Sequence, residues 1–179
     1  MQKHLIISLI SDDRPGVLEE VASSVSTNGG NWEDSRMAHF AGKFAGIARV
    51  SVPEAQYDAL VSSLEGLAEK GLKLQLEEAQ AVHVEPQQSL KLHLVGNDRP
   101  GIVREVSRAL AAHQINIEKL DTGYTSAPWS GEPLFTADCV VSISETIDTD
   151  GLKDELDEIA DELGIDIDCE EIATSLQAS

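Results

Sequence analysis

The sequence contains little cysteine and no recognisable metal-binding motif. Among its 179 residues only Cys139 and Cys169 are cysteines, and they do not form a C-x-x-C pair. Two isolated cysteines exclude a disulfide framework and are typical of small buried side chains in a reducing compartment. The 5 histidines form no i,i+4 pair and have no carboxylate partner at ligand spacing, so we expect no metal site.

Basic residues are also scarce. The chain has 13 Lys and Arg against 32 Asp and Glu, and its formal net charge is −19. A surface of this sign repels phosphate backbones and anionic lipids. We therefore expect no direct binding to nucleic acid and no binding to a membrane surface.

Long hydrophobic runs are missing. The first residues, MQKHLIISLIS, form a short apolar stretch that ends at Asp12 and Asp13, and no small-residue cleavage site follows it. Such a stretch is too short for a membrane span or a secretory signal. The sequence thus favours a cytoplasmic protein.

Motifs for catalysis are absent as well. The chain has neither G-x-S-x-G nor a P-loop, and its serines are dispersed without a base to activate them. The segment from Asp148 to Ile159 is similar to a calcium loop. However, aligning Gly151 with the sixth loop position places Thr146 first and Asp157 last, where Asp and Glu are required. We expect no enzyme activity, no catalytic residue and no cofactor.

What the sequence does contain is an internal repeat. The stretch SDDRPGVLEEVASSVSTNGGN begins at Ser11, and GNDRPGIVREVSRALAAHQIN begins at Gly96. Asp98 lies 85 residues after Asp13, and Asn116 lies 85 residues after Asn31. The two copies therefore align without a gap, which indicates a duplicated module.

Each copy has the same pattern of predicted elements. An apolar strand comes first, and the D-R-P-G turn leads from it into an amphipathic helix. A second strand then begins at the repeated asparagine, a third strand follows, and a helix that ends at a glycine precedes the last strand. The first strands are Leu5 to Ile10 and Leu90 to Val95, and the third strands are Phe44 to Val52 and Phe135 to Ile143. The glycines that end the second helices are Gly71 and Gly164.

The element order βαββαβ, present twice, predicts an α+β fold of two ferredoxin-like units. Each unit has an antiparallel sheet with both helices on one face. The polar residues 80–89 predict a linker between domain 1–79 and domain 90–179. Because each unit leaves sheet edges and one sheet face uncovered, we expect the two copies to pack together. In this strand order the first strand of copy two separates Cys139 from Cys169, which disfavours a disulfide.

The repeated turn has the chemistry to hold a dipolar ligand. A helix N-terminus exposes free N–H groups and positive dipole, so it binds a carboxylate. In copy one, Gly16 lets a ligand approach the backbone and Pro15 suits the first helical turn. Asp13 offers an acceptor for an ammonium group, and the amide of Asn31 can both donate and accept. An α-amino acid carries both charges on one carbon.

The twice-written βαββαβ order, with D-R-P-G after the first strand and Asn at the start of the second, resembles the ACT domain. This family consists of regulatory modules that sense amino acids, and the resemblance covers roughly residues 3 to 172. In ACT domains the ligand lies where the first turn of one copy meets the second-strand asparagine of a partner copy. The resemblance implies ligand contacts by Asp13, Pro15, Gly16, Val17, Leu18, Asn31, Asp98, Pro100, Gly101, Ile102, Val103 and Asn116.

A chain of two such copies alone is similar to the transcriptional repressors of the glycine cleavage system. That likeness implies glycine as the favoured ligand and control of glycine cleavage genes. Since the chain is acidic and has no helix-turn-helix signature, it would act by contact with a basic DNA-binding activator. The sequence leaves open whether the chain forms a homo-oligomer.

Several alternatives also stay open. Asp followed by Pro and Gly also starts helices by side-chain capping, without any ligand. The chain could instead be a regulatory subunit of a metabolic enzyme, or a scaffold that binds no ligand. Trp32, whose counterpart in copy two is Ile117, either fills ligand space or packs in the core. The longer hairpin of copy two, with Tyr124 and Trp129, is either a recognition loop or an ordinary turn.

Overall fold

The chain divides into two compact units, unit 1 (Met1–Val82) and unit 2 (His83–Ser179). The structure is a computed structural model, and it describes residues 1–79, 87–128, 130–144 and 149–171. Within these ranges each unit folds as a βαββαβ arrangement. The predicted α+β class with two ferredoxin-like units is confirmed.

Unit 1 is a four-stranded antiparallel sheet with its helices on one face. The strand order is β2-β3-β1-β4, so that the first strand lies inside the sheet and the second lies at an edge. The elements are β1 Gln2–Asp12, α1 Val17–Thr27, β2 Asn31–Phe40, β3 Lys43–Pro53, α2 Tyr57–Glu65 and β4 Lys73–Glu78.

Unit 2 repeats this topology with strand order β6-β7-β5-β8. The central strand β5 separates β7 from β8, as predicted, and Cys139 and Cys169 form no disulfide bond. The elements are β5 Gln87–Asn97, α3 Ile102–Ala112, β6 Asn116–Ser126, β7 Pro133–Ser144, α4 Thr149–Leu163 and β8 Ile165–Glu171.

The core of each unit lies between the sheet and the helices. Alternate residues of β1, such as Leu5, Ile7 and Leu9, point at the helices, and Val21 of α1 meets them. The equivalent residues of unit 2 include Leu90, Leu92 and Leu94. A period of two in a strand and of 3.6 in a helix places these side chains on one face, which is why the two patterns could be read from the sequence.

The structure corrects one detail of the predicted elements. We expected a continuous helix from Tyr57 to Gly71, but α2 ends at Glu65 and a 3-10 helix covers Gly66–Lys70. Gly71 then adopts a left-handed conformation with φ of 86° and ends the segment, as predicted.

Some predictions fall on residues outside the described ranges. These are Trp129 of the hairpin, most of the predicted linker, and Thr146 and Asp148 of the loop compared with a calcium site. Among the described residues, every helix is too short or too polar to cross a lipid bilayer.

Candidate functional site

The D-R-P-G turn has the same backbone conformation in both units. Gly16 is the N-cap of α1 with φ of 92°, and Gly101 is the N-cap of α3 with φ of 91°. This left-handed region is readily adopted by glycine and costs other residues about 1–2 kcal/mol. No atom lies within 4 Å of the place where a Cβ would stand on either glycine, so the turn is open on that side.

One expectation about this turn is wrong, and the alternative of side-chain capping is excluded. Pro15 and Pro100 do not occupy the first helical turn, because the helices begin two residues later at Val17 and Ile102. Neither helix has a side-chain cap, so Asp13 and Asp98 do not satisfy the free N–H groups. In unit 2 the N–H of Ile102 donates to the carbonyl of Arg99 at 3.4 Å. The remaining first-turn donors have no acceptor within the helix, so they are left for another acceptor.

The turn is fixed from its N-terminal side by the neighbouring hairpin. The backbone N–H of Asp13 donates to the carbonyl of Gly42 at 3.1 Å, and that of Asp98 donates to the carbonyl of Pro133 at 3.0 Å. Both carboxylates remain exposed. In each unit the aspartate is therefore anchored by its backbone while its side chain stays exposed to solvent.

The turn is fixed from its C-terminal side by an ion pair. Arg14 Nη1 lies 2.6 Å from Glu20 Oε1 in unit 1, and Arg99 Nη2 lies 2.5 Å from Glu105 Oε2 in unit 2. Each pair joins the turn to the first part of its helix. Sequence reasoning missed this clamp, although both residues repeat at the same spacing of 85, since 99 minus 14 and 105 minus 20 agree.

The clamp lowers the pKa of both glutamates below the ordinary value. For Glu20 the main cause is the hydrogen bond from Arg14, and for Glu105 it is the hydrogen bond from Arg99. A carboxyl whose pKa is lower in the folded state stabilises the protein above its unfolded pKa. That contribution is lost as the pH falls through the folded value.

We predict that Glu105→Gln lowers the stability of unit 2 at pH 7 and has progressively less effect below the ordinary glutamate pKa of about 4.3. Urea unfolding of the wild type and the variant at pH 7 and pH 3.5 measures the difference. Arg99→Ala should abolish the same pH-dependent part, because Glu105 then lacks its donor. An effect of Glu105→Gln that is equal at both pH values would contradict the clamp.

The two aspartates have different neighbours on the second strand of their units. In unit 1, Asp13 Oδ2 lies 3.4 Å from Nε2 of His39. Adding 85 to position 39 gives Tyr124, whose side chain is 83% exposed. The repeated turn is thus chemically different in the two units, despite its identical backbone.

The first two helical residues divide into a buried and an exposed position. Val17 and Ile102 belong to the cores, so their side chains cannot reach a ligand. Leu18 and Val103 are 45% and 41% exposed. Their side chains lie beside the turn, where they can contact an apolar part of a ligand.

The repeated asparagines open β2 and β6 and are exposed. Asn31 pairs in register with Ser51, and Asn116 pairs with Ser142. Both serines are buried, and Asn116 Nδ2 donates to Ser142 Oγ at 3.5 Å. Sequence reasoning missed these serines, although V-S-V and V-S-I recur 91 residues apart in the third strands, as 142 minus 51 shows.

Within one unit the asparagine and the turn lie at opposite ends of the sheet. Ser51 pairs with both Asn31 and His4, and Asp13 follows His4 by nine residues along the chain. At about 3.3 Å per strand residue, this places Asn31 about 30 Å from Asp13. The register of unit 2 gives the same separation. One small molecule therefore cannot contact both groups of a single unit.

Across the described ranges, no three His, Cys, Asp or Glu side chains are grouped closely enough to hold a metal ion. The turn itself offers backbone donors, one carboxylate and an exposed apolar side chain. This set is suited to binding a small zwitterion.

Comparison with known proteins agrees with this fold. A family model for the ACT domain matches residues 3–77, which lie in unit 1. A UPF0237 protein of Methanopyrus kandleri is 35% identical over 75 residues, which make up 41% of this chain and 77% of that protein.

Two solved structures are similar over nearly the whole chain. An unknown protein from Galdieria sulphuraria has a TM-score of 0.83 and 30% identity, and the match covers 97% of this chain and 100% of that one. The structure of a candidate glycine cleavage system transcriptional repressor has a TM-score of 0.74 and 19% identity, with coverage of 97% and 99%. At 19% identity the second likeness shows a common fold and no more.

Proposed function

Because the chain belongs to the ACT domain family and carries two ACT units, we propose that it is a regulatory protein that senses a small amino acid. Binding would occur at the turns that begin α1 and α3. A ligand changes a protein's activity only by favouring one of its conformational states over another. The ligand-bound state would therefore differ from the free state in its affinity for a partner protein.

The observation that carries this proposal is the repeated open helix start. Both turns have a left-handed glycine at the N-cap, lack a side-chain cap and keep an aspartate exposed beside the free donors. The left-handed conformation at Gly16 and Gly101 favours glycine, so the same open turn is present at both helix starts. The repeat of this open turn, with uncapped donors beside an aspartate in both units, favours a role in binding.

The proposed roles of the residues follow from their positions. The backbone N–H groups after Gly16 and Gly101 hold the ligand carboxylate. Asp13 and Asp98 accept from the ammonium group, and the prolines fix the turn. We further propose that Asn31 or Asn116 of a second copy of the chain completes the site, because the asparagine of the same unit is about 30 Å away.

We favour glycine as the ligand and control of glycine cleavage genes as the process regulated. The solved structure of a candidate glycine cleavage system transcriptional repressor shares the fold over 97% of this chain, which supports the proposal. The net charge of −19 fits contact with a basic DNA-binding activator better than contact with DNA. Copurification of a metabolic enzyme in place of a transcription factor would instead support a regulatory subunit.

Titrating the protein with glycine and other amino acids by calorimetry tests the proposal. We expect binding, and we expect Asp98→Asn to weaken the unit 2 site about tenfold or more, since it removes a charge-assisted hydrogen bond. Asp121→Asn is the matched control, because Asp121 is an exposed aspartate on β6 of the same unit. Absence of heat with every standard amino acid would overturn amino-acid sensing.

A further inference from the structure

Unit 2 contains a small apolar cleft between the first two turns of α3 and the edge strand β6. Its walls include Val103, Val106, Ile117, Thr122, Phe135 and Ala137. Val103 is the second residue of α3, and Phe135 pairs with Gly96, which lies just before the turn. The cleft therefore opens beside the proposed ligand site.

The cleft is narrow. The volume open to the centre of a water molecule is about 10 Å³, which corresponds to one water-sized or methyl-sized group. Apart from the hydroxyls of Thr122 and Ser107, its lining is apolar, and Ser107 already donates its hydroxyl to the Val103 carbonyl at 2.7 Å. The space thus suits a short hydrocarbon group.

The same place in unit 1 carries larger side chains. The spacing of 85 makes Trp32 the counterpart of Ile117, and Met37 the counterpart of Thr122. Both Trp32 and Met37 are half-buried and pack against the core of unit 1. The Met37 sulfur also occupies the space that a Cβ on Gly46 would need. Unit 1 is therefore closed where unit 2 is open.

We propose that the two units divide their ligands by side-chain size. The cleft of unit 2 takes an amino acid with a methyl-sized side chain, alanine, in preference to glycine. Unit 1, with Trp32 and Met37 in this place, accepts only glycine. The inference rests on the proposed function, which places the ligand carboxylate and ammonium groups at the turn.

Burial sets the expected preference. Moving one methyl-sized group from water into an apolar cleft contributes about 0.8 kcal/mol, which corresponds to about a fourfold lower Kd. Leucine exceeds the space and should bind at least about fivefold more weakly than alanine, because overpacking costs about 1–3 kcal/mol.

The test is calorimetry of the full chain carrying Asp13→Asn, which weakens the unit 1 site so that the heat reports on unit 2. We expect alanine to bind about fourfold more tightly than glycine. Thr122→Met, which introduces the unit 1 side chain, should remove this preference, so that alanine binds no more tightly than glycine. Thr125→Met is the matched control on the opposite face of β6, because Thr125 and Thr122 are three residues apart in a strand.

The outcomes separate the two proposals. Equal affinity for glycine and alanine, or a preference that survives Thr122→Met, overturns the division by size while the sensing function stands. Absence of binding by every amino acid overturns both. If Thr122→Met lowers the thermal midpoint, Thr122→Met with Ala137→Gly reproduces the unit 1 pair of Met37 and Gly46 and is measured in its place.

Discussion

Replacing Gly46 by alanine should destabilise unit 1 by about 3 kcal/mol, at the upper end of what overpacking costs. Gly46 lies in β3 and pairs with Met37 of the edge strand β2. An added Cβ would collide with the Arg36 carbonyl oxygen and would stand 2.8 Å from Met37 Cα. Because these are backbone atoms, no side-chain rotation relieves the contact, and β2 must move away from β3. Urea unfolding followed by circular dichroism measures the loss.

Gly66→Ala is the matched control for this prediction. Gly66 has φ of −61°, and nothing lies within 4 Å of its Cβ position. The substitution should raise stability by about 0.4–1 kcal/mol, because alanine restricts the unfolded chain more than glycine does. If Gly46→Ala changes stability as little as Gly66→Ala does, Met37 does not lie across Gly46. The conclusion that Met37 fills this space in unit 1 would then be wrong.

Replacing Gly96 by alanine should destabilise unit 2 by about 2 kcal/mol, again by overpacking. Gly96 pairs with Ile165 of β8, and an added Cβ would stand 2.5 Å from Ile165 Cγ2. Since Ile165 is branched at Cβ, its methyl cannot move away freely. Ile165→Ala alone should cost about 3 kcal/mol, because the side chain is in the core.

The double variant is the decisive measurement. Ile165→Ala removes the methyl that blocks the new Cβ, so the two changes together should cost about 1–2 kcal/mol less than their sum. Ser11 of unit 1, which occupies the position of Gly96 since 96 minus 11 is 85, provides the control. Ser11→Ala keeps a Cβ at this position and loses only a hydroxyl hydrogen bond, which is worth about 1 kcal/mol. Strictly additive costs in unit 2 would refute the contact.

These glycines also bear on the site. Gly96 lies directly before the turn in unit 2, so the close approach of β8 to β5 positions the strand end from which the turn begins. Gly46 and Met37 determine whether space beside the turn is open or filled in unit 1. A stability measurement at either glycine is therefore also a measurement of how the site is supported.

The repeat made much of the fold predictable. Leu90, Leu92 and Leu94 alternate along a strand, and Val17, Val21 and Val25 recur along a helix, so each pattern fixes its own local structure. Because the same βαββαβ order of elements occurs in both copies, the two units were expected to have the same topology. The break of α2 at Glu65 was not predicted, because the apolar spacing continues through the 3-10 helix.

The candidate site was only partly predictable. Asp13, Gly16 and their counterparts are adjacent in the chain, so the sequence already brought them together. The clamp between Arg99 and Glu105 and the support of Asn116 by Ser142 depend on side-chain direction and on cross-strand register. The residues of the clamp are six apart in the chain, but sequence alone does not show that their side chains meet. Asn116 and Ser142 are 26 residues apart and meet only through strand pairing. Both residue pairs nevertheless recur in the other copy.

The sequence by itself determined the duplicated βαββαβ order, the position of both open helix starts and the strongly negative charge. Each of these depends on local periodicity, on local turn chemistry or on composition. Only the tertiary structure decided that the turn and the asparagine of a unit lie about 30 Å apart. It also decided that Trp32 and Met37 fill a space in unit 1 that is an open cleft beside Ile117 and Thr122 in unit 2. The physical reason is that such distances and volumes depend on how strands pair and how side chains pack across them, and neither is specified within a single stretch of chain.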